Sequence, residues 1–144
     1  MNQELADGVT LLETADNPMP PQPRQVPVIT ADGIPLRAVY WMPETGRARA
    51  TVLLMQGRAE FIEKYFETIA ELRRRGFAVA AFDWRGQGGS GRSLPDPSKG
   101  HVADFGLFRH DIEAIRTQLI EPLLPQPVMA KATLPLPSCG VRNR

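Results

Sequence analysis

Apolar residues along the centre of the chain follow two different periods. Ala50-Thr-Val-Leu-Leu-Met55 and Phe77-Ala-Val-Ala-Ala-Phe82 are continuous apolar runs of strand length, as expected of strands covered on both faces. Between them Ile62, Tyr65, Phe66, Ile69 and Leu72 recur at helical spacing and predict an amphipathic helix over residues 61–75. Arg73-Arg74-Arg75 lies in its last turn, where cations oppose the negative end of the helix dipole, and Gly76 can adopt the left-handed cap. The triplet reads as a solvated helix end, because nothing else basic clusters beside it in sequence.

Upstream, Val26–Ala31 and Ile34–Met42 flank Asp32-Gly33, a β-hairpin signal whose Asp-Gly pair supplies the positive φ values of a tight primed turn. Pro27 and Pro35 lack amide donors and place these strands towards a sheet edge. After a glycine-rich loop over residues 83–100, Phe108, Ile112, Ile115 and Leu119 mark another helix, with Asp104 as its cap. Strand, helix, strand, long loop and helix open an α/β fold. The expected architecture is a three-layer sheet, mostly parallel in its later strands, with right-handed crossovers and an edge hairpin.

Both flanks differ from this centre. Five of the 14 prolines fall between Pro18 and Pro27 and five more between Pro122 and Pro137. Residues 1–25 therefore read as an acidic, proline-rich lead-in, expected to be mobile, and residues 26–123 as the partial α/β domain. Residues 124–144 show neither period and read as an irregular tail, although an α/β sheet should continue there with another buried strand.

Charge and composition narrow the function classes. With 17 Lys+Arg against 16 Asp+Glu the net charge is +1, too little for a phosphate-tracking nucleic-acid binder. An apolar content of 42% suits one modest domain. Residues 1–20 contain Glu4, Asp7, Glu13 and Asp16 but no Lys or Arg, unlike a secretory leader, and no run approaches the ~20 apolar residues that span a bilayer. The single cysteine, Cys139, excludes an intramolecular disulfide. A soluble cytoplasmic protein is the expectation.

The candidate chemistry is sparse. Gly86-Gln-Gly88-Gly-Ser-Gly91 matches G-x-G-x-x-G after a strand, but a pyrophosphate site needs a helix to open at the third glycine, and Pro95 and Pro97 follow instead. A nucleophile elbow, G-x-S-x-G, needs small residues on both sides of its serine. Ser90 has Gly88 before it but Arg92 after it; Ser138 has Gly140 after it but Leu136 before it; Ser93 and Ser98 match on neither side. His110 lies off the apolar stripe of its helix, His101 has no partner legible in sequence, and neither histidine has metal-site spacing. Cys139 sits in the irregular tail.

Three stretches in order carry a resemblance. Leu53-Leu-Met-Gln56-Gly57-Arg58-Ala59-Glu60 looks like a strand running into an H-G-x-x-E loop, and Asp83-Trp84-Arg85-Gly86-Gln87-Gly88-Gly89-Ser90 looks like D-x-R-G-x-G-x-S. Gly100-His101-Val102-Ala103-Asp104-Phe105 then leads into a helix containing Asp111. From about Ile29 to Leu123 the chain resembles the amino-terminal part of the α/β-hydrolase superfamily, in its lysophospholipase and monoacylglycerol-lipase-like branch, the serine aminopeptidase-like hydrolases.

The resemblance implies a serine ester hydrolase acting on acyl glycerols or lysophospholipids, with no cofactor and no metal. It places the oxyanion-hole backbone N–H on Arg58, and Gln56 stands where the family has histidine. Gln56, Gly57, Glu60, Asp83 and Arg85 are then expected to support that loop. The family's serine, acid and histidine all fall beyond the second long helix, so this chain reads as a front portion followed by a foreign tail. A truncation or frameshift near Pro127 would produce that pattern, and the polypeptide is expected to be inactive as it stands. The resemblance also implies that the missing strand would pair beside Thr51–Met55, leaving an apolar edge open to self-association. Two other readings stay open: a non-catalytic α/β module that binds a partner through that edge, and a nucleotide-binding domain using Gly86–Gly91.

Overall fold

The computed structural model describes residues 10–92 and 104–132. His101, Ser93, Ser98, Ser138 and Cys139 lie outside that range. A five-stranded, open, mixed sheet has the order β1-β2-β4-β3-β5. Strands β1 (Arg24–Ile29) and β2 (Pro35–Trp41) form the antiparallel hairpin at one edge. Pro27 sits on the edge strand and Pro35 is the first residue of β2, positions where a missing donor costs no ladder bond. The connection is not a primed two-residue turn. Thr30 N–H donates to the Ile34 carbonyl, and Gly33 alone carries a positive φ, +85°. This is the three-residue loop ending in a left-handed glycine. Thr30 Oγ1 stabilises it by donating to Asp32 Oδ1 (2.6 Å) and accepting from Ile34 N–H (2.9 Å).

Strand β3 (Thr51–Met55) runs parallel to β4 (Ala78–Phe82), which is antiparallel to β2. The intervening helix begins as a 3-10 turn at Ile62–Tyr65 and continues as α1 (Phe66–Arg74). Gly76, at φ +89°, ends it as expected. The arginine triplet divides, however. Arg74 and Arg75 are exposed and pair with Glu71, whereas Arg73 is buried and its Nε donates to the Met42 carbonyl (2.8 Å).

Both faces of the sheet are covered. Val39, Trp41, Val52, Leu54, Val79 and Ala81 pack against Ile62, Phe66 and Ile69. On the other face Val28, Leu36, Ala38, Leu53, Ala80 and Phe82 meet Ala114, Ile115 and Leu119. Those last residues belong to α2 (Phe108–Ile115) and the wide π turn Arg116–Ile120 that prolongs it. Asp104 caps the run by accepting from Gly106 N–H.

Two expectations for the flanks are corrected. Residues 10–23 are not a detached lead-in: Leu11 joins the α1-side core, Leu12 N–H donates to Glu63, and Trp41 Nε1 donates to the Pro20 carbonyl (3.0 Å). Nor does the sheet stop at β3. Val128–Ala132 forms β5, paired in parallel along the whole of β3 from Thr51↔Val128 to Met55↔Ala132. Thr51 anchors its entry, with the N–H donating to the Pro127 carbonyl (2.9 Å) and Oγ1 to that of Pro125 (2.7 Å). The edge expected to lie open beside Thr51–Met55 is thus occupied.

Candidate functional site

The carboxyl ends of β3 and β4 meet in two loops. At the end of β3, Gln56 is buried; its carbonyl accepts from Trp84 Nε1 (2.9 Å), while both polar atoms of its carboxamide are without a partner. Gly57 N–H donates to Glu60 Oε2 (2.8 Å), which also accepts from the Tyr65 hydroxyl. Ala59 stands at φ +61° with its N–H on Gln87 Oε1. Three successive amides are therefore sorted. Those of Gly57 and Ala59 are engaged, and that of exposed Arg58 has no acceptor among the described residues.

Asp83, at the end of β4, holds the second loop. Its buried carboxylate accepts from Arg37 Nε (2.6 Å) and Gly89 N–H (2.8 Å) through Oδ2, and from Ile62 N–H (3.0 Å) through Oδ1. Arg37 turns its other two nitrogens onto Glu63 in a fork, each contact 2.7 Å. One buried arginine thus joins β2 to the end of β4 and the start of the helical run after β3. Charges in so dry a place persist only when paired and hydrogen-bonded, as these are. Burial pushes the Asp83 carboxyl up, against the pull of Arg37 and the two amides. Burial works on Glu63 in the same sense, but the Arg37 fork outweighs it and holds that carboxyl below its ordinary 4.5.

Arg85 makes a second clamp of the same kind. Its Nε donates to Asp111 Oδ1 (2.9 Å) on α2, and Nη1 and Nη2 reach Asp32 in the hairpin loop (2.7 and 3.0 Å). Asp32 is driven well below the carboxylate range by that guanidinium first and the Thr30 hydroxyl second.

The glycines between these clamps have local causes. Gly86 and Gly88 adopt φ +76° and +49°, and a Cβ on Gly88 would lie 2.2 Å from Asp83 Oδ2. A Cβ on Gly91 would lie 2.8 Å from Pro35 Cδ. The loop's amides also face inward. Those of Gly86, Gln87, Ser90 and Gly91 donate to carbonyls, and that of Gly89 to Asp83. Ser90 is buried, its Oγ donating to the Asp83 carbonyl and accepting from Arg37 N–H (2.9 Å). His110 is exposed, and the described residues contain no cluster able to hold a metal ion.

Of the residues singled out in sequence, Gln56, Gly57, Arg58 and Glu60 share the β3 loop, and Asp83 and Arg85 the β4 loop. Trp84 and Gln87 link the two loops. Arg37, Glu63 and Asp32 were not singled out. Their partners lie 26 to 53 positions away, which no local pattern encodes.

The strand-end loop carrying Arg58 and the D-x-R-G loop beside it lie within a stretch that also matches known proteins. The model of a family described as serine aminopeptidase S33 matches residues 46–132. The chain belongs to that family. It is 38% identical over 91 residues to lysophospholipase L2 of Escherichia coli, covering 63% of this chain and 26% of that protein. A probable lysophospholipase L2 of Haemophilus influenzae is 37% identical over 73 residues, covering 51% and 22%. This serine aminopeptidase-like chain thus spans about a quarter of the length of these curated relatives. An esterase of Pyrococcus furiosus superposes with a TM-score of 0.57 at 21% identity, over 77% of this chain and 41% of that one. An α/β hydrolase of Penicillium gives 0.61 at 18%, over 77% and 37%. At such identities these neighbours establish the α/β-hydrolase fold, and the partial coverage fits an amino-terminal part of it.

Proposed function

We propose that this chain supplies the oxyanion-binding part of a serine ester hydrolase for lysophospholipids, and that the 144-residue polypeptide does not itself turn over esters. One observation carries the first half: among the described residues Arg58 N–H has no acceptor, between two amides that are engaged. Hydrolysis of an ester concentrates negative charge on the former carbonyl oxygen in the tetrahedral intermediate. A fixed backbone dipole stabilises it without reorganising at the moment of reaction, and removing one such donor costs about 3 kcal/mol. The 38% identity to a lysophospholipase supports the substrate class.

Ser90, the one serine among the described residues, supports the second half. Its hydroxyl is buried and tied to Asp83 and Arg37, which leaves it no base and no access to a carbonyl carbon. A nucleotide reading of Gly86–Gly91 finds no support, because five of that loop's amides are turned onto the loop itself, Pro35 or Asp83.

The test has two arms. Exchanging the matched 91 residues into Escherichia coli lysophospholipase L2 should yield a chimera that hydrolyses lysophosphatidylcholine. The isolated chain should not be labelled by a serine-directed fluorophosphonate. A folded but inactive chimera, or stoichiometric labelling of the isolated chain, overturns the reading.

A further inference from the structure

The two loops carry an aromatic series that the oxyanion reading does not use. Buried Phe82 meets half-buried Trp84 edge-on, centroids 4.8 Å apart and planes at 65°. Trp84 meets half-buried Phe108 at 5.3 Å and 80°, and Phe108 meets Phe105 at 6.1 Å and 39°. The series ends in solvent: Phe105 is 84% exposed. Isolated apolar residues on a surface are ordinary, but this one terminates a continuous run of rings that starts in the core. It is also held in place, because Asp104 Oδ1 accepts from Gly106 N–H (2.8 Å) across the turn that presents it.

Trp84 ties the series to the loop that carries Arg58. Trp84 Nε1 is 2.9 Å from the Gln56 carbonyl oxygen, and covalent geometry puts the Arg58 nitrogen within about 8 Å of that indole nitrogen. The indole N–H is the only hydrogen-bonding side-chain atom among the four rings, and it is already engaged. The rings therefore offer no hydrogen bond to a phosphate or a glycerol hydroxyl; their chemistry suits hydrocarbon, or the quaternary ammonium of a choline over a ring face.

We infer that Trp84, Phe108 and Phe105 form the track along which the acyl chain of the ester lies, leading outward from the carbonyl held at Arg58 N–H. This rests on the reading of Arg58 as the oxyanion donor. An acyl chain begins at the very carbon whose oxygen that donor meets, and the rings that start at Trp84 offer it a continuous apolar surface. The position of the acyl carbon, not the chemistry of the rings, assigns the chain rather than the headgroup to the α2 side, and a quencher carried on the alkyl chain separates the two.

Intrinsic fluorescence tests it on the whole chain, using an ether-linked lysophosphatidylcholine analogue with a brominated alkyl chain, below its micellar concentration. Trp41 is fully buried, so quenching reports Trp84, and Trp84→Phe supplies the control. Saturable quenching is expected. Phe105→Ser should raise the half-saturation point about tenfold, and Phe105→Leu should restore it to within about twofold. Unsaturable quenching, or equal half-saturation for the serine and leucine variants, overturns the track. So does a dimer dispersed by Phe105→Ser without saturable quenching, which assigns the rings to a second copy of the chain. Failure of the chimera to hydrolyse ester, with Phe105-dependent quenching intact, would instead count against the oxyanion reading alone.

Discussion

At Gly88 the backbone stands at φ +49°, and a Cβ would lie 2.2 Å from a carboxylate oxygen that two other groups already fix in place. Neither strain nor clash can relax without moving Asp83. Gly88→Ala should therefore destabilise the fold by about 2–4 kcal/mol in urea unfolding. Arg37 acts at longer range. Replacing it with Met leaves Asp83 and Glu63 buried without their counter-charge, a loss of about 3–5 kcal/mol. Ala59 carries strain of the opposite consequence. Its left-handed φ of +61° costs about 1–2 kcal/mol for a residue with a Cβ. After allowing for the added freedom of glycine in the unfolded chain, Ala59→Gly should stabilise by up to about 1 kcal/mol. A fall in urea midpoint on that substitution would mean that the loop does not hold this conformation in solution.

The strands and helices were legible in the sequence wherever one period ran unbroken. Thr51–Met55 and Ala78–Phe82 appear almost as the apolar runs predict, and Gly76 and Asp104 mark helix ends as their chemistry requires. β5 was not legible, for a physical reason. Val128-Met-Ala-Lys-Ala132 alternates poorly and follows Pro125 and Pro127, and it is a strand because β3 offers it a row of backbone partners. Leu11 likewise gives no local sign of its burial; the α1 side of the sheet recruits it. The same applies to the site. Arg58 and Glu60 sit within one short motif and could be read, whereas the Arg37–Asp83–Glu63 junction exists only after three elements have met. Hydrogen exchange checks the β5 assignment. In a parallel strand alternate residues bond opposite neighbours, so all amides from Val52 to Met55 should exchange slowly. Free exchange at every second one would mean that β5 is not paired.

On the scale of the whole molecule, two arginine clamps tie the hairpin, the end of β4 and both helical runs together at one end of the sheet. Their carboxylates set the acid response. Asp32 and Glu63 have folded-state pKa values depressed below 3.8 and 4.5, so their stabilisation is complete at neutral pH. It fades as pH falls past those values. Asp83, raised by burial, has the opposite sign and partly offsets the loss. Thermal midpoints should fall on acidification below about pH 4.5, and more shallowly in Asp32→Asn. An unchanged acid slope in that variant would contradict the Arg85–Asp32 clamp.

Under the proposed function, this scaffold presents the Arg58 backbone N–H to the developing charge. The most direct measurement of that claim compares Arg58→Ala with Arg58→Pro in the lysophospholipase L2 chimera, with circular dichroism confirming that both fold. Alanine keeps the amide and should leave kcat within about threefold, whereas proline removes it and should lower kcat by about 100- to 1,000-fold with KM little changed. Equal kcat values for the two variants would show that the Arg58 amide does not meet the developing charge.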